Sequence, residues 1–218
     1  MLNYLRSKNG VSGNEVRAVE EILNPITLKS RTIESFGDDE PFVYATDFNI
    51  SDPSQIRLGT GTTEDPVYFA LTTKRLLSVL NTVAQNGDSC RLPLILHMDA
   101  TFKTNDNEYP FMIMGISDNN SRFHPISMVL ISHRTEAQYI RVLNDLKHIS
   151  AQVIPGYQLD PNFIMIDAEE AERNASIAVF GIDPSRVLMC FFHVQYNCKK
   201  KLSGQSKEIK DSVREDLR

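Results

Sequence analysis

The chain has 218 residues, 41% of them hydrophobic and 23% charged, with a formal net charge of −5 at pH 7. That is room for one sizeable core, or a domain with a smaller appendage, and it is the composition of an ordinary globular protein. It excludes a membrane-spanning design, since no apolar run approaches the roughly 18 residues of a span. It also excludes a disulfide framework, because Cys90, Cys190 and Cys198 are few and odd in number and suit a reducing compartment. The first residues, MLNYLRSKNG, carry no apolar leader core, so an intracellular protein is expected. The N-x-S triplets at Asn49, Asn119 and Asn174 then have no bearing on glycosylation.

Ser12-x-x-Glu15 is a capping-box pattern, and Val16, Val19, Ile22 and Leu23 follow at helical spacing, so a helix is predicted from about Gly13 to Asn24. An extended segment around Phe42–Ile50 comes next. The turn chemistry of Gly59 to Pro66 between two β-rich runs predicts a hairpin. Thr72 or Thr73 can cap a helix presenting Leu76, Leu77, Leu80 and Val83 on one face. Asn86 to Ser89 end it and mark the candidate boundary, which separates an α+β region (1–88) from a core (89–203) and the start of a further helical segment (204–218).

Leu94, Ile95, Leu96 and Met98 form a nearly continuous apolar strand, interrupted by Asp99. The runs Tyr109–Ile116 and Phe123–Ser132 follow over short polar links, which antiparallel neighbours allow and parallel ones do not. Thr135-x-x-Gln138 caps a helix with its stripe at Tyr139, Val142, Leu143, Leu146 and Ile149. A short strand, Asn162–Ile166, ends at Asp167. A helix to Phe180, a strand from Arg186 to Cys190 and a helix from His193 to Leu202 complete the order. The expectation is an α/β fold: a mixed sheet of three antiparallel strands, then two parallel strands joined by helical crossovers, with helices on both faces.

Asp99 and Asp167 each follow an apolar run. On neighbouring parallel strands they would emerge at one sheet edge, where two close carboxylates repel unless a cation neutralises them. Oxygen ligands of this kind suit Mg²⁺. Asp167 also reads as an ordinary helix N-cap with Glu170 three residues on, and Asp99 as a buried, hydrogen-bonded carboxylate. Cys190-x-x-His193 with Cys198 offers three soft or borderline ligands where structural zinc needs four, so zinc is not expected. Cys190 paired with His193 could serve as a nucleophile, but a cysteine closing an apolar strand is more often a small buried hydrophobe. His97 and His124 read as packing or surface histidines. From Phe191 onward seven Lys or Arg face four acids, a local +3, which suits either phosphate contacts or a solvated helix face. No P-loop and no G-x-G-x-x-G is present.

The strings MDATFKTN, YPFMIMGISDNNSRFHPISMVLISHRTEAQY, IMIDAEEAERNASIAVF and MCFFHVQYN, in that order, resemble Mutator-like element (MULE) transposases from about Leu94 to Lys201. The resemblance implies an RNase H-like fold, a nuclear protein that cleaves and transfers DNA strands at transposon ends, and an Asp-Asp-Glu site holding two metal ions, Mg²⁺ or Mn²⁺. Asp99 matches the first acid and Asp167 the second. Cys190 and His193 match the family's C-x-x-H motif, read here as packing and orienting the core. Lys199, Lys200 and Lys201 are candidates for DNA phosphate contacts, and a homo-oligomer is compatible with the family. The third acid has no counterpart in context. Glu208 and Glu215 are the acidic candidates after the motif, so a chain truncated before its catalytic Glu is expected. The alternative is a non-catalytic remnant, or a DNA-associated regulator derived from such a transposase.

Overall fold

The computed structural model describes residues 13–85, 93–101, 105, 107–117, 122–167 and 169–216. The Ser12 cap, Cys90, the boundary turn at 86–89 and the turn at 118–121 fall outside them. The described residues form six α-helices and one eight-stranded mixed sheet.

Helix α1 (Gly13–Leu23) leads to β1 (Phe42–Phe48), β2 (Ile56–Arg57), β3 (Tyr68–Thr72) and α2 (Lys74–Gln85). The core section is β4 (Ile95–Thr101), β5 (Phe111–Ser117), β6 (Phe123–Ile131), α3 (Glu136–Val153), β7 (Phe163–Ile166), α4 (Glu170–Phe180), β8 (Val187–Met189), α5 (Phe191–Lys201) and α6 (Lys207–Asp216). The sheet order is β2-β1-β3-β6-β5-β4-β7-β8. Strands β4, β5 and β6 are antiparallel neighbours, while β7 lies parallel to β4 and β8 parallel to β7. The three-plus-two arrangement legible in the apolar runs is therefore present.

The expected hairpin between Gln55 and Thr73 is not. Strands β2 and β3 both pair with β1, one on each side, and never with each other. The polar loop instead folds on itself, with Asp65 accepting from the Thr60 N–H at 2.9 Å and Gly61 donating to the Asp65 carbonyl at 2.9 Å. A turn-rich run between two β-prone segments sets a reversal but not the partner, and the longer apolar Phe42–Phe48 strand takes the place between them.

Period-2 alternation decides which face each strand buries. Tyr68 and Ala70 of β3 join one core with Leu96, Met98, Met112, Met114 and Ile116, beneath α2, α3 and α4. Phe69 and Leu71 point the other way and pack with Leu23, Val43, Ile56 and Leu58, where α1 covers the sheet. Helices thus lie on both faces, but unevenly: the large core is on one side, and α1 serves the β1–β3 end. Each Leu or Ile fully buried in that core contributes roughly 1.5–3 kcal/mol.

Helix α3 begins where the Thr135 side chain accepts the Gln138 N–H, and it buries the stripe Tyr139, Val142, Leu143, Leu146 and Ile149. Helix α2 is capped in the same manner by Thr73, whose Oγ1 accepts from the Leu76 N–H at 3.1 Å. Between Met114 and Gly115 the β5–β6 register shifts, and a Cβ on Gly115 would sit 2.4 Å from the Phe123 ring and 2.5 Å from the His124 carbonyl oxygen. Only glycine fits that bulge.

Candidate metal centre

Strand β4 buries Leu96 and Met98 and so turns Ile95, His97 and Asp99 to the opposite face. Its parallel register with β7 pairs Ile95 with Phe163 and His97 with Met165. Two residues further along each chain stand Asp99 and Asp167, at one level on adjacent strands. The carboxylate pair follows from alternation and register together. Asp99 is 68% exposed, whereas Asp167, beyond the last β7 residue, is 14% exposed.

The third member arrives from β8. The Cys190 N–H donates to the Ile166 carbonyl at 2.8 Å, which ends β8 beside the end of β7 and makes Cys190 the N-cap of α5. The helix starts at Phe191, two residues before the expected His193, so the imidazole turns back over the strand ends. His193 Nδ1 lies 2.8 Å from Asp167 Oδ1, and Nε2 lies 3.9 Å from Asp99 Oδ1. The shorter approach is a close contact without hydrogen-bond alignment, because both atoms are buried and neither has a hydrogen-bond partner. The motif read from sequence as packing thus brings its histidine between the two aspartates, while its cysteine closes the strand-to-helix junction.

Asp167 does not cap α4. That position belongs to Glu169, two residues later, whose carboxylate is engaged with Arg134 and accepts from the Tyr139 hydroxyl at 2.9 Å. Arg134 Nε in turn donates to the Tyr139 hydroxyl at 3.3 Å. Behind this layer, Glu172 is 3% exposed. Burial first, then the negative charges of Asp167 and Glu169, push its carboxyl up to about 9, against the pull of Arg134 and of the Asp167 N–H it accepts. Asp167 is also raised from the ordinary carboxylate range, chiefly by burial and further by Asp99 and Glu169, while His193 and Arg134 oppose the rise. A site that raises its own carboxyls is one that a cation would relieve.

Asp99, Asp167 and His193 form the one potential ligand group among the described residues, with donor atoms all within 4.8 Å of one another. Two carboxylate oxygens and an imidazole, two of them orphaned buried atoms, fit a divalent ion of hard or borderline character. Glu208 and Glu215 lie on or beside α6 and do not enter the group. Lys199, Lys200 and Lys201 form the exposed last turn of α5. His97 is held by Ser117 Oγ and stacks edge-on with Phe123, a packing role. Arg134, Glu169 and Glu172 went unread in the sequence. Only the run of four acids in DAEEAE hinted that more than one carboxyl gathers there.

No helix among the described residues is long and apolar enough to cross a membrane. Comparison with curated proteins and with solved structures gave no match. Residues 95–197 match the family model described as the MULE transposase domain. A transposase domain implies DNA as its partner and dependence on a divalent metal. The matched segment opens on the strand that carries Asp99 and closes one helical turn beyond His193, so it holds the whole cluster, and over these residues the chain is similar to MULE transposase domains.

Proposed function

We propose that the chain is the RNase H-like core of a MULE transposase that cleaves DNA strands at transposon ends and joins them to target DNA. The reading rests on one observation above the others. Asp99 and Asp167 stand at one level on adjacent parallel strands with His193 between them, inside the matched domain.

Asp99 and Asp167 would hold Mg²⁺ or Mn²⁺, with His193 as a third donor that favours Mn²⁺ of the two, since imidazole suits transition metals better than magnesium. When bound, one such ion would activate the attacking water or 3′-hydroxyl and a second would stabilise the leaving oxygen. The rest is done by side chains. Arg134 holds Glu169, and Glu169 and Tyr139 hold the β7–α4 junction that carries Asp167. Lys199, Lys200 and Lys201 bind phosphates and position the duplex without reading its sequence. The nucleus is the compartment this function needs.

Titration calorimetry of the purified chain with Mn²⁺ tests the site. Asp99→Asn and Asp167→Asn each weaken binding at least tenfold, and an Asp99→Asn variant that binds Mn²⁺ as tightly as the parent would show the assignment wrong. A second reading, a non-catalytic DNA-associated descendant, has its own support, because the third member of the cluster is a histidine and neither Glu208 nor Glu215 joins it. Nicking of supercoiled plasmid separates the two. Mn²⁺-dependent cleavage lost in Asp99→Asn marks an enzyme, and DNA binding without cleavage marks the descendant.

A further inference from the structure

Helix α5 leaves three aromatic side chains in the open: Phe191 is 54% exposed, Phe192 68% and Tyr196 56%. Large apolar groups clustered this way on a surface need an occupant. Phe192 and Tyr196 are four residues apart and so share one helix face, and that face continues into Lys199 and Lys200. Both aromatics, with Asn197, line a cavity of about 380 Å³. Its other walls are Asp167, His193 and the Arg134–Glu169 pair, so it opens directly onto the candidate metal centre.

An occupant must match four features at once. It must offer a flat π-face to Phe192 and Tyr196, a polar edge to Asn197 and Arg134, and negative charge to the lysines further along the stripe. It must also carry the bond to be cut next to Asp167. An apolar peptide fails on the charged floor, and a base inside a duplex fails because its faces are already stacked on its neighbours. Resting on the DNA-processing reading above, we infer that this cavity receives an unpaired nucleobase of the DNA strand being processed, stacked on Tyr196 and Phe192, with its flanking phosphates on Lys199 and Lys200.

Fluorescence anisotropy on the full chain tests this, in Ca²⁺ or with EDTA so that no strand is cut. Three duplexes are compared: a blunt one, one with a short single-stranded overhang, and the same overhang made abasic. The overhang is expected to bind more tightly than either the blunt or the abasic duplex. Tyr196→Ala is expected to weaken overhang binding roughly 5- to 150-fold, the range for loss of one base–aromatic stack, and to bring the overhang-to-blunt ratio toward one. Tyr196→Trp keeps the preference, which separates lost stacking from lost folding, and Phe192→Ala shows the same fall as Tyr196→Ala. Equal binding of the normal and abasic overhangs would overturn the stacking site while leaving the DNA reading intact. Absence of binding to all three duplexes would overturn both. A concentration-dependent dimer that Tyr196→Ala abolishes, with the overhang preference unchanged, would give this face to a second copy of the chain and overturn the inference.

Discussion

Asp167 and Glu172 sit five residues apart and share a neighbourhood poorly suited to negative charge. Glu172 is the more buried, and its carboxyl is pushed from the ordinary 4.5 up to about 9, first by burial and then by Asp167 and Glu169. Between those two values the folded chain keeps a proton that the unfolded chain has lost. The corresponding stability is therefore fully present below about pH 4.5 and drains away as the pH rises through 9. Unfolding free energies from urea titrations with EDTA from pH 5 to pH 9 are expected to fall, by at most about 1.4 kcal/mol per pH unit from this one group. Glu172→Gln keeps the neutral shape and flattens that decline, so that at pH 8 the variant is the more stable protein. Parallel curves for the two proteins would mean that Glu172 is ionised in the fold. A bound divalent ion should act in the same direction as the substitution, because its charge lowers the carboxyls around it.

At the scale of elements, the positions where a helix starts or stops are set by single residues and can be tested singly. Thr135 caps the start of α3, its side chain accepting the Gln138 N–H. Thr135→Ala is expected to cost about 1 kcal/mol in chemical denaturation, the ordinary value of an N-cap. Helix α4 ends on Gly181 at φ 61°, with its N–H donating to Ile177 and no atom near where a Cβ would go. Gly181→Ala therefore isolates the backbone cost of the left-handed conformation, roughly 1–2 kcal/mol. Gly115→Ala, where the new methyl would meet the His124 carbonyl oxygen at 2.5 Å, is expected to cost more than Gly181→Ala. If the two cost the same, the β5–β6 bulge relaxes freely.

At the scale of the molecule, the matched domain contains five of the sheet's eight strands, β4 to β8. Strand β3 pairs with β6 from Tyr68 opposite Ile131 to Leu71 opposite Met128, and so extends the sheet beyond residues 95–197. Phe42, Tyr68, Leu77 and Leu80 belong to the same core as Leu96 and Met114. Arg141 of α3 bonds Asp47 of β1 at 2.8 Å and lies over the Tyr68 ring, and Tyr68 donates to Asp145 at 2.6 Å. Removing residues 1–88 would uncover the β6 edge and take large side chains out of a packed core. A chain beginning at Ser89 is expected to aggregate or to lose its near-UV dichroism, and the intact chain to melt in one cooperative transition. A soluble, cooperatively folded 89–218 fragment would show that the first 88 residues are an independent appendage.

The sequence alone determined the elements and the two aspartates. Apolar runs at period two, helical stripes at Tyr139–Ile149 and the Thr135 capping box are local patterns, and local sterics and desolvation suffice to place them. An aspartate directly after an apolar run is an anomaly on the same terms, which is why Asp99 and Asp167 stand out. What remained hidden was non-local. The partner of β2 was decided by competition for the edges of β1, and the place of β3 by the large residues it shares with β6 and α3. His193 entered the cluster only because the Cys190 N–H finds the Ile166 carbonyl and starts α5 two residues early. Arg134, Glu169 and Glu172 look like ordinary charged residues of helix starts until the fold packs them behind Asp167. Sequence spacing carries the physics of neighbours along the chain; the pairing of distant strands, which the tertiary structure decides, put these groups within a few ångström of each other.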